Sequence, residues 1–241
     1  MTAALLFLAS ILAGAIASLA GFGIGSILTP LLALSIGTKE AVVAVSIPHL
    51  VATGLRFWTL RHNIDFRVLK NFGISSAAGG LLGALLGVRF SSPILAYILG
   101  ALLIFAGLTG LTGISQKMRL GRKTAWLGGA VSGLLGGLVG NQGGVRSAAL
   151  LGFNLEAKAF VATATAIALV VDGARMPVYF FTSPETVHRL SLWIVVMVVG
   201  ATIGTLAGGR VLSRIPETYF RRLVSLLVFA LGIVMLSHIA K

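Results

Sequence analysis

Gly140-Asn141-Gln142-Gly143-Gly144-Val145-Arg146-Ser147 interrupts an otherwise apolar stretch. Thr124 to Gly140 before it is uncharged and dominated by Leu, Val, Ala and Gly, and Ala148 to Phe153 after it is apolar again. Glycines let a backbone take unusual dihedrals and approach a ligand closely. A helix that restarts after the break points its free N–H groups into it, which favours an anion. Arg146 adds a permanent positive charge, and an ionisable side chain at membrane depth costs at least ~2.5 kcal/mol on insertion scales. The stretch therefore reads as a binding site inside a membrane.

Composition supplies the membrane. Of 241 residues 57% are hydrophobic and 10% charged, with a mean hydropathy of +1.01; a soluble domain carries about 25% charge. Runs free of Asp, Glu, Lys and Arg cover 1–38, 41–55, 71–88, 90–116, 124–145, 159–171, 190–209 and 223–240. Several reach the ~20 residues that span a bilayer as a helix. An all-α, multi-pass membrane protein with one membrane domain over 1–241 follows. The net charge of +13 sits in short inter-helix loops, where the bias of basic residues to the cytoplasmic side accounts for it, so nucleic acid is not expected as a partner. Without cysteine, and with four scattered histidines, no disulfide, metal site or cofactor is expected. The first twenty residues lack a basic leader and read as a retained helix.

Working outward, the break has a counterpart. Gly14-Ala15 followed by Gly21-Phe22-Gly23-Ile24-Gly25 resembles Gly129-Ala130 followed by 136–144. Gly79, Gly83, Gly87 and Arg89 match Gly200, Gly204, Gly208 and Arg210; 41–44 matches 159–162, Arg56 matches Arg175 and Pro93 matches Pro216. Residues four apart share a helix face, so each glycine series is a smooth strip for close helix packing, with its arginine snorkelling to the interface. The chain reads as two repeats, about 1–115 and 124–241.

Each repeat reads as a helix, a glycine break, a short apolar segment and three further helices. The first has 2–20, 26–36, 40–60, 71–89 and 93–113; the second has 124–139, 145–154, 158–180, 190–210 and 221–239. The short segments cover roughly 16 Å as helix, half of a ~30 Å hydrocarbon core. A reversal at the break with a partly extended return is expected. Non-helical backbone at that depth requires burial in protein or a cavity, which again places a site at the breaks.

Loop charge orients the chain. Arg56, Arg61, Arg67 and Lys70 flank one loop, Lys117, Arg119, Arg122 and Lys123 fill the central one, and Arg210, Arg214, Arg221 and Arg222 surround the last; all three are expected to be cytoplasmic. They share a side if the broken stretch crosses twice, which makes five crossings per repeat and inverted halves. Eight spans with parallel halves is the alternative. Trp58, Tyr97, Trp126, Tyr179, Trp193 and Tyr219 lie near predicted helix ends, where interface anchors sit.

These residues resemble the sulfite exporter TauE/SafE-like family, also called the toluene-sulfonate uptake permeases, over nearly the whole chain. The resemblance is carried by Gly21-Phe22-Gly23-Ile24-Gly25-Ser26-Ile27-Leu28-Thr29-Pro30-Leu31, by the repeated break, and by His62-Asn63-Ile64-Asp65-Phe66. The second break departs from the family pattern: Ala149 stands near the place of the proline, and Arg146 is added. The resemblance implies transport of small anions, typically sulfur-containing ones such as sulfite, sulfonates or sulfoacetate, in the inner cell membrane.

Arg146 is the main candidate to bind such an anion through bidentate hydrogen bonds, aided by N–H groups of 143–147. The competing role is to balance Asp172 in the bundle. Asn141, Gln142, Gly143, Gly144 and Ser147 lie beside it, and Gly21, Gly23, Gly25, Ser26 and Thr29 form the facing wall. Asp172 and Arg175, three apart on one helix, are an ion pair or a coupling site in which Asp172 accepts a proton; His49, after Pro48, is a second titrating candidate. Four functions are weighed: a secondary transporter working by alternating access about a midplane site, an anion channel, an intramembrane enzyme, and a structural partner of another membrane complex. The enzyme is disfavoured because no paired membrane aspartates, zinc motif or Ser/His couple is present. Protons are the candidate coupling ion; oligomeric state is left open.

Overall fold

The computed structural model describes residues 2–114, 122–150, 153–212 and 217–239. Among them the regular structure is helical throughout. Helices α1 (Ala3–Ala20), α2 (Ile24–Ile36) and α3 (Thr38–Leu60) lead into a short 3-10 turn, Arg61–Asn63. One helical turn and a π-helical segment, Leu69–Gly73, then open α4 (Ile74–Arg89), followed by α5 (Ser92–Thr112). The rest comprises α6 (Arg122–Val139), α7 (Gly143–Leu150), α8 (Ala157–Thr182), α9 (Pro184–Arg189), α10 (Ser191–Leu212) and α11 (Glu217–Ile239). Among the described residues seven helices are long and apolar enough to cross a membrane. The chain is thus an all-α polytopic membrane protein, with helix bounds close to those the apolar runs predict. Helix α9, between the predicted helices 158–180 and 190–210, is an addition.

Glycine fixes which helices touch. Gly79, Gly83 and Gly87 of α4 lie against Ala130, Leu134 and Leu138 of α6, and Gly200, Gly204 and Gly208 of α10 against Phe7, Ile11 and Ala15 of α1. Both strips therefore bring backbones into contact, and each pair of helices runs parallel. Gly73 and Gly80 meet Ile167 and Val171, so α4 is also parallel to α8. Two other pairs run antiparallel. In α3 and α8, Val42 and Val43 cluster with Met176 and Tyr179, His49 meets Asp172, and Phe57 and Leu60 pack on Ala162 and Ala166. In α5 and α11, Gly100 faces Leu236, Gly107 faces Phe229 and Gly110 faces Ser225.

These directions determine the course of the chain. Because α6 and α8 are both parallel to α4, the chain reverses between them. Helix α7, with 8 residues, covers about 12 Å of that return, and Asn154 to Glu156 are non-helical, with Asn154 at φ 51. In the first half Arg56, near the end of α3, reaches Ala17, near the end of α1, so these two also point the same way and α2 is the return. Here the expected extended backbone is absent: α2 is helical for 13 residues and Gly37 alone joins it to α3. The ends of α3, α5 and α10 consequently fall on one side of the bundle, the side of the three basic connections. Lys117, Arg119 and Arg214, like Pro216, lie outside the described residues, as do the side chains of Arg122, Lys123, Arg210 and Arg221.

Two sequence expectations are corrected. Arg56 is no loop charge; it is 3% exposed within α3. Tyr179 is no interface anchor either, being 4% exposed with its hydroxyl donating to Gly137 O at 2.5 Å. Trp58, Tyr97, Trp126 and Tyr219 are exposed as anchors would be, and Trp193 is half-buried. Arg89 is exposed at the end of α4, as snorkelling requires.

The close packing gives a stability prediction. A side chain at position 204 meets the Ile11 carbonyl and the Ala15 nitrogen, backbone atoms that cannot rotate away. Gly204→Val is expected to destabilise the protein by at least ~1–3 kcal/mol, as overpacking does, seen as a lower unfolding midpoint in detergent. Gly54→Ala, with nothing within 4 Å, should leave the midpoint unchanged or raise it slightly.

Candidate functional site

Gly21 and Gly140 end α1 and α6 in the left-handed conformation, at φ 74 and φ 70. A residue with a Cβ is strained there, which is why the breaks begin on glycine. Each N–H closes the last turn, Gly21 onto Ala17 O at 3.0 Å and Gly140 onto Gly136 O at 3.1 Å. The chain then restarts as α2 and α7, and the two breaks touch. The Ser26 hydroxyl donates to Asn141 Oδ1 at 3.0 Å, Gly25 abuts the Gly140 carbonyl, Gly143 abuts the Phe22 ring, and Thr29 lies beside Gly140. Arg146 reaches across, its Nη2 donating to Gly21 O at 3.2 Å. Among the other candidates, Gly23 packs on Ile16, Gly144 faces Ala106 of α5, and Ser147 is half-buried.

The polar atoms of this junction outnumber their partners. Arg146 is 1% exposed, Asn141 3% and Gln142 4%. Yet Arg146 Nε and Nη1, Asn141 Nδ2, both Gln142 amide atoms and Thr29 Oγ1 have no hydrogen-bond partner. An unmet buried polar group costs about 1–3 kcal/mol, and more when charged. Native proteins leave few such groups, and here they cluster where the two breaks meet. Arg146 N–H itself is used by the helix, donating to Gln142 O at 3.0 Å. Of the backbone donors at 143–147, this one is therefore not free for an anion.

A second cluster lies on α8. Asp172 is fully buried and takes three bonds, from Arg175 Nε at 3.0 Å and Nη2 at 2.8 Å, and from His49 Nδ1 at 2.7 Å across the antiparallel α3. The side chains bonded to Asp172 are therefore Arg175 and His49, not Arg146. Sequence spacing indicates the Asp172–Arg175 pair, but the histidine joins it only through the packing of α3 on α8. Arg175 also donates through Nη1 to Gly136 O at 2.6 Å, tying the pair to the last turn of α6.

Arg56, which loop counting misplaces, repeats this clasp. It donates to Ala17 O and, through Nη2, to Thr53 Oγ1 at 3.1 Å. Each arginine lies 39 residues beyond its carbonyl, and each carbonyl is the one that accepts the glycine cap. The sequence match of Arg56 with Arg175 was the signal available. The Ser132 hydroxyl, donating to Gln142 O at 3.2 Å, carried none. At the end of the bundle away from the basic connections, Lys39, Val42, Leu95, Gly137, Tyr179 and Ser183 line a cleft, and Val42 also faces Gly140. Among the described residues no group of His, Asp or Glu is placed to hold a metal ion.

Broken helices meeting inside a bundle around unmet polar groups characterise membrane transporters that bind cargo within the membrane. The chain belongs to the sulfite exporter TauE/SafE family, whose model matches residues 6–235. Members of that family are membrane transporters, not enzymes. No curated protein matches the chain. No solved structure matches it.

Proposed function

We propose that the chain is a secondary transporter of small, sulfur-containing anions of the sulfite, sulfonate or sulfoacetate type, residing in the inner cell membrane with its basic connections in the cytoplasm. The observation that carries this reading is the buried Arg146 guanidinium with two unpartnered nitrogens, set among the unpartnered groups of Asn141, Gln142 and Thr29 where the two breaks touch. A guanidinium presents several N–H donors in a plane, matched to an oxyanion of sulfur. Ser26, Gly21, Gly23 and Gly25 form the facing wall, and Gly143, Gly144 and Ser147 the near one. The antiparallel pairing of α3 with α8 and of α5 with α11 supports two inverted repeats, about 1–115 and 124–241, since equivalent helices of parallel halves would pair in the same direction. Rocking of these halves would open the site to either side in turn, and the cleft at Lys39 and Tyr179 is one such route.

The test is sulfite uptake into proteoliposomes. Saturable uptake with counterflow, in which internal unlabelled sulfite accelerates entry of labelled sulfite, is the expected result. Linear, non-exchanging flux would make the protein a channel. If sulfite does not move, organic sulfonates and carboxylates are assayed in the same format, and failure of all of them would overturn the reading.

Protons are the proposed coupling ion, held on the His49–Asp172–Arg175 cluster. Its support is the 2.7 Å contact between the imidazole and a fully buried carboxylate, because a proton on either partner changes the charge of the bundle. His49→Gln, which retains a hydrogen-bonding group at that position, is expected to preserve sulfite counterflow and abolish acceleration by an imposed pH gradient. A variant that still responds to the gradient as the unmodified chain does would exclude His49 from coupling.

A further inference from the structure

The two arginine clasps share one geometry but differ in charge. In the second half, the residue three positions before the arginine is Asp172, so Arg175 is neutralised. In the first half that residue is Thr53, so Arg56 is not. Asp172 is the only buried carboxylate among the described residues, whereas Arg56, Arg146 and Arg175 are all buried. Two guanidiniums are thus left without a carboxylate. Both hold the same turn of α1: Arg56 bonds Ala17 O and Arg146 bonds Gly21 O, and the Gly21 N–H itself donates to Ala17 O. The helix end contributes about half a negative charge, which offsets only part of two cations. Arg56 Nε, like Arg146 Nε and Nη1, is buried and unpartnered.

We propose that Arg56 is a second anion-binding residue, and that the junction selects an anion bearing two negative charges over one of the same shape bearing one. This rests on the assignment of the anion site to the junction. Arg146 supplies one guanidinium from the second break; Arg56 supplies the other from α3, one helical turn away along α1. A dianion between them restores the balance that Asp172 gives to Arg175. A monoanion leaves one cation buried and unpaired, a state disfavoured wherever water is excluded. Thr53 is accordingly a specificity residue: hydroxyl in place of carboxylate keeps Arg56 available to cargo.

The experiment compares sulfite with methanesulfonate, which share the SO3 group, by calorimetric titration of the full chain in nanodiscs. The pH is mildly alkaline, so that sulfite carries two charges. The unmodified chain should bind sulfite at least about tenfold more tightly, and Arg56→Gln should remove most of that preference, as loss of a buried charge partner does. Thr53→Asp places beside Arg56 the carboxylate that the other clasp already carries. It should remove the preference in a chain that still folds and still binds methanesulfonate, which covers the case in which Arg56→Gln fails to fold. Sulfite preference unchanged in folded Thr53→Asp would overturn the proposal, as would an unmodified chain that binds both anions equally. Binding that depends on Arg146 but not on Arg56 or Thr53 would leave the site reading standing and sink this inference alone. If the unmodified chain binds neither anion, both fall.

Discussion

Arg146→Gln is expected to lower sulfite flux into proteoliposomes by about two orders of magnitude, with the protein still folded. Truncating one partner of a desolvated charge pair costs about 2–5 kcal/mol, and 1.4 kcal/mol is tenfold in affinity. Glutamine ends near the place of Nε, so the change removes the charge and the Nη2 bond to Gly21 O together while leaving a polar amide in the junction. Arg146→Lys keeps the charge but not the planar fork and should fall between the two. The comparison is made under one imposed proton gradient, with the unfolding midpoint of each variant measured alongside. Equal flux in Arg146→Gln and the unmodified chain would make Arg146 a strut between the breaks and remove the central support for the anion site.

Replacement of Asp172 has the largest expected effect on stability. The carboxylate is the common partner of Arg175 and His49. Removing one member of a buried pair leaves an uncompensated charge and costs about 3–5 kcal/mol. Set against a total stability of about 5–15 kcal/mol, that is a large share. Asp172→Ala should therefore be recovered in low yield with a markedly lower unfolding midpoint. The double variant Asp172→Ala with Arg175→Met should regain much of the loss, because a pair removed together leaves no orphan charge. If the double variant is as unstable as the single, the instability comes from something other than the stranded guanidinium, and Arg175 is held mainly by Gly136 O.

What the sequence discloses and what it hides divide along physical lines. Glycine breaks, apolar runs and glycines four apart are local patterns, and they predict α1, α3, α5, α8 and both packing strips with bounds close to those observed. Asp172 and Arg175 are legible as neighbours for the same reason, three residues being one helical turn. The π-helical start of α4 and the short α9 leave no periodic trace and were not anticipated. Other misses are matters of facing. Nothing local says that His49 turns toward α8, that Tyr179 turns inward to Gly137, or that Arg56 points along α3 into the bundle instead of out of its end. The contact between the breaks themselves, Ser26 to Asn141 and Arg146 to Gly21, spans more than a hundred residues and is decided by helix packing. The pairing of Arg56 with Arg175 in the repeat pattern was visible, yet their different neighbours, Thr53 and Asp172, acquire meaning only once both side chains are seen to clasp the same kind of carbonyl.

The contact of α1 with α10 bears on how the protein is made. Phe7, Ile11 and Ala15 leave the ribosome well over a hundred residues before their partners Gly200, Gly204 and Gly208. At synthesis rates of about 5–20 residues per second, α1 stays in the bilayer for roughly 10–40 s before its partner arrives. During that time its contact surface faces lipid, which Phe7, Ile11 and Ala15 tolerate as apolar side chains and Ser10 by bonding its own helix at Leu6 O. Helix α6 has no such delay, because α4, which receives it, is already in place. Docking of α1 therefore waits for α10, and a nascent chain stopped before residue 200 would hold every group of the anion site and still lack the helix against which α1 packs.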